Sequence, residues 1–233
     1  MASIFSLDGI DDALDKAITL PGERVRDNVA QLRLDHPHDT PAEIIHRLEK
    51  QLLRKSKLTG AGVGVAAAVP SVGTVTAMAL TGAQLAGFVA AATMHVLAVA
   101  EIHGVPTDDI DRRRTLVLTT LLGHDGANAV QSSLGLSSIH WARQAFTRLP
   151  TSTVKAVNKK LRKRAAKQAA KKGGSVAFGR LMPFGIGAAI GWVSGKAMAR
   201  TVIDGARTAF GNPPAAFASE AKPRAITVAS GDR

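Results

Sequence analysis

The glycines between residues 181 and 200 have a spacing that resembles nucleotide-binding loops. In LMPFGIGAAIGWVSGKAMAR, Gly185, Gly187 and Gly191 match part of one dinucleotide fingerprint. That chemistry needs a strand, a tight turn and a helix whose N-terminus meets the pyrophosphate, whereas Pro183 stands where the strand should be. The later GWVSGKA has too few residues between its glycines for a P-loop, and Ala197 replaces the magnesium-binding hydroxyl. We therefore do not predict a nucleotide site.

The other reactive side chains form no recognisable catalytic group. The chain has no cysteine, which excludes disulfides, thiolate catalysis and Cys-ligated metals. His36 and His38 in DHPHD have the types to hold a metal with Asp35 or Asp39, but a loop before a helix cap explains this stretch better. His95, in an apolar segment, is predicted to be a core histidine that makes one hydrogen bond. With no G-x-S-x-G and no conspicuous acid pair, we expect no catalytic residues, no cofactor and no metal.

A helix-packing role fits the glycines better. Gly187, Gly191 and Gly195 are four residues apart, as are Gly60 and Gly64, so each set lies on one side of a helix. A glycine inside a helix costs about 0.5–1 kcal/mol relative to alanine, and close packing is the compensation we expect. Packing inside a soluble core and packing in or against a bilayer both remain open.

Positive charge is concentrated in one segment, KAVNKKLRKRAAKQAAKK, at residues 155–172. This segment holds most of the net charge of +12 and contains no acidic residue. A membrane contact, a nucleic-acid contact and a solvated charged face are the three alternatives. No aromatic residue interleaves with the charges, which weakens a single-strand stacking role. The candidate anionic-surface residues are Lys155, Lys159, Lys160, Arg162, Lys163, Arg164, Lys167, Lys171 and Lys172.

Two apolar features bear on membrane attachment. The basic helix has only a narrow apolar stripe, formed by Val154, Val157, Leu161 and Ala165, which predicts electrostatic binding with little insertion. Residues 58–100 contain no Asp, Glu, Lys or Arg, and Pro70 divides them. Their length would permit a membrane span, but their composition is weak for one. A shallow re-entrant hairpin and a hairpin buried in a soluble core remain the alternatives.

Helix signals recur along the chain and strand signals are nearly absent. Val25, Val29 and Leu32 predict a helix after Pro21. Thr40 and Glu43 form a capping box, and Ile44, Leu48 and Leu52 form the buried stripe that follows. The basic residues Arg54, Lys55 and Lys57 are expected to close that helix.

Further helices are predicted towards the C-terminus. A long helix runs over 74–102, and Thr107 or Asp108 caps a helix that Gly123 ends. Residues 138–149 look helical, Ser152 or Thr153 opens the basic helix, and three glycines and Pro183 predict a break over 173–183. A last helix covers about 184–210, and the tail is predicted to be disordered.

Three stretches, taken in order, resemble the EcsC family of bacterial proteins. They are KSKLTGAGVGVAAAVPSVGT, LAVAEIHGVPTDDIDRRRTLVLTTLLG and GRLMPFGIGAAIGWVSGKAMARTVIDGARTAF, and the match covers roughly residues 40–211. The resemblance implies a cytoplasmic, all-helical and membrane-associated protein. It supplies no catalytic residues to carry over to this chain.

Together these patterns predict an all-α, multi-helical bundle with two Gly/Ala-rich apolar hairpin segments. Residues 1–39 form N-terminal helices, 40–211 the EcsC-like helical domain and 212–233 a disordered tail. We expect a non-catalytic protein that binds or scaffolds at the cytoplasmic face of the plasma membrane, attached peripherally or inserted shallowly. An anionic membrane surface is the expected partner. The alternative is a soluble helical protein whose basic helix binds nucleic acid or an acidic protein. The sequence leaves the oligomeric state open.

Overall fold

The computed structural model describes residues 14–19, 22–67, 74–134, 142, 150–180 and 186–217, and within these ranges it leaves out the side chains of 57–84, 133–134, 166 and 168–194. The described residues form helices and no strand, so the predicted all-α fold is confirmed. Residues 14–18 are helical. The helices that follow are α1 (Gly22–Asp35), α2 (Pro41–Ala67), α3 (Thr74–Ile102), α4 (Ile110–Leu122), α5 (His124–Leu134), α6 (Thr151–Arg180) and α7 (Ile186–Phe210).

The start of α2 follows the local sequence signal. The backbone N–H of Thr40 donates to Glu43 Oε2 at 2.7 Å, and the N–H of Glu43 donates to Thr40 Oγ1 at 3.3 Å. Two N–H groups that a helix start leaves without partners are thereby satisfied, and the predicted capping box is confirmed. The predicted end at residues 54–57 is wrong, because α2 continues to Ala67. Glycine only weakens a helix, whereas Pro70 cannot continue one.

The next boundaries differ from the predictions by one or two residues. The N-cap of α4 is Asp109, and not Thr107 or Asp108: Asp109 Oδ1 accepts the backbone N–H of Arg112 at 2.8 Å. Gly123 ends α4, as predicted, with a φ of 58° that favours glycine. Helix α6 begins at Thr151, ahead of the predicted Ser152 or Thr153.

The predicted break over 173–183 is wrong for residues 173–180, because α6 continues to Arg180. Residues 181–185, which contain Pro183, lie outside the described residues, and α7 begins at Ile186 close to its predicted start. The helix predicted over 138–149 also lies outside the described residues, apart from the buried, helical Ala142.

Buried apolar residues from every described helix form one core. The most extensive contact is between α2 and α7, and α2 also packs on α3. Helix α4 contacts α3, α5, α6 and α7. The N-terminal residues join this core, since Arg113 Nη1 donates to the carbonyl of Ile18 at 3.3 Å and Arg114 pairs with Asp15 at 2.6 Å. Residues 14–19 and α1 therefore share one core with the described part of 40–211, the region predicted to be the main domain.

The chain remains in contact with the helices beyond α7. The guanidinium carbon of Arg33 lies 4.2 Å from the centre of the Phe217 ring, and Phe217 packs against the core. The predicted disordered tail, 212–233, therefore begins with residues that contact α1. Residues 218–233 lie outside the described residues.

The five glycines predicted to pack against another helix are only partly covered by the described residues. Gly195 is buried in α7, but the surroundings of Gly187 and Gly191, and of Gly60 and Gly64 in α2, lie outside the described residues. A close approach does occur at Gly205 in α7, where a Cβ would lie 2.7 Å from the carbonyl oxygen of Thr120 in α4. Helices α4 and α7 can touch there only because residue 205 has no side chain.

Replacing Gly205 with alanine should therefore destabilise the protein, by about 1–3 kcal/mol, because two backbones must separate. Gly87→Ala is the matched control, since a Cβ at this position of α3 meets nothing within 4 Å. That change should stabilise the protein by up to about 1 kcal/mol through helix propensity. Chemical denaturation of both variants measures the difference. Equal effects of the two substitutions would show that α4 and α7 are not in close contact at Gly205.

Candidate functional site: a basic helix face and a histidine-lined cleft

One side of the basic helix α6 is buried in the core. Val154, Val157 and Leu161 are 3%, 3% and 0% exposed, and Ala165 is partly buried against the same cluster. The predicted narrow apolar stripe therefore packs on the protein itself, and the main contact of α6 is with α4. Residues of α6 on the opposite side are left to the solvent.

A buried amide determines which side of α6 faces inward. Asn158 is 5% exposed; its Oδ1 accepts the hydroxyl of Thr115 at 2.8 Å, and its Nδ2 donates to the carbonyl of Asp111 at 2.9 Å. Rotating α6 would leave these polar groups buried without partners, which costs about 1–3 kcal/mol for each. The sequence prediction missed Asn158, although its position between Val154 and Leu161 places it on the buried stripe.

Four lysines form a row along the outer side of α6. Lys155, Lys159, Lys163 and Lys167 are each four residues apart, and all four are exposed. Neighbours at this spacing lie on the same helix face, where each like-charge pair destabilises the helix by about 0.2–0.5 kcal/mol. No acidic residue occurs within α6 to offset this repulsion. We call these four residues the lysine row.

The other predicted contact residues divide into two groups. Lys160, Arg162 and Arg164 are exposed on α6, and Arg164 Nη1 donates to the backbone carbonyl of Asp125 at 2.9 Å. Lys171 and Lys172 lie in the helical backbone, but their side chains fall outside the described residues. The structure therefore brings seven of the nine predicted residues to the exposed part of one helix.

The apolar segment before the basic helix is largely internal. Within the part of the chain that the structure describes, one stretch, Leu85–Ile102 of α3, is long and apolar enough to cross a membrane, and 61% of it is buried inside the protein. Val96, Leu97 and Ala98 are fully buried there. Core packing accounts for the apolar composition of this stretch. Residues 58–84, the rest of the segment, have no described side chains.

A cleft of about 420 Å³ opens between α2, α3 and α7, and sequence analysis did not predict it. Glu49 of α2 is buried on this side, and both of its oxygens accept from Arg207 of α7, at 2.8 Å from Nε and 2.7 Å from Nη2. The hydrogen bonds that Arg207 donates to Glu49 raise the pKa of Arg207. His46 Nδ1 lies 3.5 Å from Glu49 Oε2, and the ring of His103 stacks on Phe210 with centroids 5.1 Å apart.

His95 lies at the wall of this cleft and is only 4% exposed. Burial lowers its pKa to about 4, although nearby Glu49 and a hydrogen bond to the Leu48 backbone act in the opposite direction. The prediction of a core histidine with one hydrogen bond is confirmed. Its Nδ1 atom is buried and has no hydrogen-bond partner among the described residues. The imidazole is therefore neutral near pH 7, with the proton on Nε2 and an acceptor lone pair on Nδ1.

His36 and His38, considered above as metal ligands, lie in the loop between α1 and α2, as the alternative prediction of a loop before a helix cap requires. Asp39 pairs with Arg47 at 2.5 Å, and this hydrogen bond lowers the pKa of Asp39. In the described ranges, no group of three or more His, Asp or Glu side chains is placed to hold a metal ion.

Comparison of the chain with protein-family models, with curated proteins and with solved structures gives no match. The resemblance to the EcsC family therefore stays a prediction that depends on the three ordered stretches.

The depressed pKa of His95 predicts an acid-sensitive fold. The unfolded chain takes up a proton near pH 6.5 and the folded chain only near pH 4, so His95 should lower the stability progressively as pH falls between these values. The full effect of this difference is about 3 kcal/mol. The other ionisable groups facing it, Glu49, His46, His103 and Arg207, are unchanged in a His95→Gln variant.

Urea denaturation from pH 8 to pH 4 provides the measurement. We expect the stability of the native protein to fall more steeply than that of His95→Gln below pH 6.5, and the two slopes to agree above pH 7. A constant difference between the two proteins over the whole range would contradict a buried, neutral His95.

Proposed function

We propose that this protein binds anionic lipid at the cytoplasmic face of a bacterial membrane through the exposed side of α6, and that it acts by binding or scaffolding. The observation that carries this proposal is the lysine row: four exposed cations on one face of a helix, with no acid in that helix. The row is electrostatically unfavourable in the free protein. An anionic surface would relieve the repulsion as it binds.

The expected strength is that of a reversible peripheral contact. Each Lys or Arg near an anionic membrane contributes about 1 kcal/mol. The lysine row alone would thus supply about 4 kcal/mol, which corresponds to a dissociation constant of about 1 mM. Lys160, Arg162 and Arg164 extend the same face of positive charge and would bring the affinity towards the micromolar range.

Core packing supports peripheral attachment over insertion. The apolar stripe of α6 and most of Leu85–Ile102 are buried inside the protein, so neither offers apolar surface to lipid. Shallow insertion through residues 58–84 remains part of the proposal from sequence alone. The resemblance to the EcsC family supports the same cytoplasmic, membrane-associated location, and membership of that family is part of this proposal.

A soluble protein that binds nucleic acid or an acidic partner remains the alternative function. The row favours lipid for two chemical reasons. It consists of lysines, which act as point charges, whereas arginine offers the planar fork that suits phosphate recognition in nucleic acids. Residues 151–172 also contain no aromatic side chain on which a base would stack.

Neutralising the lysine row tests the proposal. Changing Lys155, Lys159, Lys163 and Lys167 to glutamine should weaken binding to vesicles that contain anionic phosphatidylglycerol by about two to three orders of magnitude. Helix content should be unchanged, and stability unchanged or higher, since glutamine is a good helix former and three like-charge pairs are removed. Vesicle co-sedimentation and circular dichroism measure the two quantities.

A matched control distinguishes the effect of where the positive charges lie from the effect of the total net charge. Lys16, Arg24, Lys50 and Arg54 are exposed on other parts of the chain, and their change to glutamine removes the same net charge. This control variant should bind vesicles nearly as well as the native protein, and binding of both should weaken as salt is added. Equal losses in the two variants, or equal binding to neutral phosphatidylcholine, would refute a contact through α6. Tight binding to duplex DNA without vesicle binding would support the alternative.

A further inference from the structure

The cleft between α2, α3 and α7 presents a positive charge that membrane binding through α6 does not use. We propose that this cleft binds a small carboxylic acid with an apolar body, whose carboxylate contacts the guanidinium of Arg207 and the imidazole of His46. The residues that carry the inference, Arg207, His46 and Glu49, belong to α2 and α7. The inference therefore stands or falls separately from the lysine row.

The sign of the ligand charge follows from which member of the ion pair is exposed. The side chain of Glu49 is 7% exposed and that of Arg207 is 61% exposed, and both residues line the cleft. A ligand therefore meets the cation, whereas the carboxylate is largely inaccessible. A guanidinium carries five N–H groups, and Arg207 uses one on Nε and one on Nη2 for Glu49. Because Nη1 forms no hydrogen bond with the described residues, its N–H groups can donate to an anion.

A second nitrogen-bearing side chain lies next to Arg207. Glu49 Oε2 accepts from Arg207 Nη2 at 2.7 Å and lies 3.5 Å from His46 Nδ1, so the ends of both side chains approach the same oxygen. The side chain of His46 is 60% exposed and lines the cleft. With Nδ1 turned towards Glu49, Nε2 is the ring nitrogen left for a ligand. Histidine changes its charge between pH 5 and 8, and an anion beside His46 favours the protonated form, in which Nε2 donates.

The walls of the cleft determine the rest of the ligand. Ile45, Val99 and Phe210 line it from α2, α3 and α7, which favours an apolar body. A volume of about 420 Å³ is at the lower end of small-molecule sites and suits one or two rings. Among the described residues that line the cleft, Arg207 is the one Lys or Arg. A carboxylate, with a single negative charge, therefore matches the cleft better than a phosphate dianion.

The other ionisable groups that face His46 differ in how they respond to pH. They are Glu49 on the same helix, His95 and His103 from α3 and its C-terminal end, and Arg207 from α7. Burial lowers the pKa of His95 to about 4, so its charge does not change between pH 8 and pH 6. His103 has to be tested separately, because it lines the same cleft.

A pair of probes that differ in charge tests the proposal on the native protein. Benzoate carries the carboxylate, and benzamide is a neutral molecule of nearly the same shape. At pH 6.5 we expect benzoate to bind about tenfold more tightly, as one hydrogen bond between charged groups implies. Its affinity should rise from pH 8 to pH 6, because His46 gains a proton on binding. Calorimetric titration measures the affinities, and NMR should show that benzoate moves the methyl signals of Val99 but not those of Val25 in α1.

Two pairs of variants check the contacts. Arg207→Lys keeps a positive charge for Glu49 but lacks the guanidinium fork, and it should remove most of the preference for benzoate. Arg200→Lys is the matched control: Arg200 is exposed about two turns earlier in α7 and does not line the cleft, so the preference should be unchanged. His46→Gln should abolish the rise in affinity at low pH, whereas His103→Gln should preserve it. Urea denaturation checks that each variant is folded.

Several outcomes would contradict the proposal. Equal affinities of benzoate and benzamide for the native protein, or no binding of either at its solubility limit, would overturn it. A preference for benzoate that survives Arg207→Lys, or a pH dependence that survives His46→Gln, would overturn the corresponding contact. All measurements use the full chain without lipid, so their failure would not affect the proposal for α6.

Discussion

The burial of α4 is the constraint on which much of the rest depends. This helix is in contact with α3, α5, α6 and α7, so its polar side chains must find partners inside the protein. Thr119 donates to the carbonyl of Thr115 at 2.6 Å, and Thr120 donates to that of Val117 at 2.9 Å. The hydroxyl of Thr115 lies 3.0 Å from the carbonyl oxygen of Asp111 in its own helix and also donates to Asn158 Oδ1 of α6 at 2.8 Å. Because unsatisfied buried polar groups are costly, the hydrogen bonds between Asn158 and α4 have consequences outside the core.

The first consequence is the orientation of α6. With Asn158 held against α4, the residues on its side of α6 are buried, and the lysine row is placed on the other side. Arg113 is also buried, and its Nε donates to the carbonyl of Thr107 while Nη1 donates to that of Ile18. The same helix thus ties the N-terminal residues and the loop after α3 to the core. The lysine row is exposed because the buried polar groups of α4 and α6 find their partners when the Asn158 side of α6 faces the core.

The sequence predicts the fold well where the signal is local. The capping box at Thr40 and Glu43 needs only four consecutive residues, and the bounds of α3 follow from an apolar segment between Gly73 and the HGVP turn. It fails at the ends of α2 and α6, since the basic residues Arg54, Lys55 and Lys57 do not close α2 and the glycines after residue 172 do not interrupt α6. Helices α2 and α6 both pass through several glycines, at about 1 kcal/mol each, and both end before a proline, Pro70 and Pro183. The cap of α4 was misplaced because three adjacent residues, Thr107 to Asp109, compete for one position.

The two candidate sites also differ in how far a local sequence signal predicts them. The basic face was predictable because all its residues lie within one helix, and its buried stripe could have identified Asn158 as well. The cleft was not predictable, since Glu49 and Arg207 are 158 residues apart and nothing near either marks the pairing. His95 was identified as buried, but its unpartnered nitrogen depends on how α2 and α7 close around it. Only the three-dimensional packing shows that three helices bring these groups together.

The buried apolar residues and the exposed lysine row together favour peripheral attachment to a membrane. A protein that inserts must expose apolar surface, and here the apolar stripe of α6 and most of Leu85–Ile102 already stabilise the core. Transferring Val96 and Leu97 to lipid would remove them from contacts that hold α3 in place, with little gain, since both environments are apolar. The lysine row can contact a membrane surface without such a loss, because its side chains take no part in the core. Binding through α6 therefore leaves the cleft and the core as they are in the free protein.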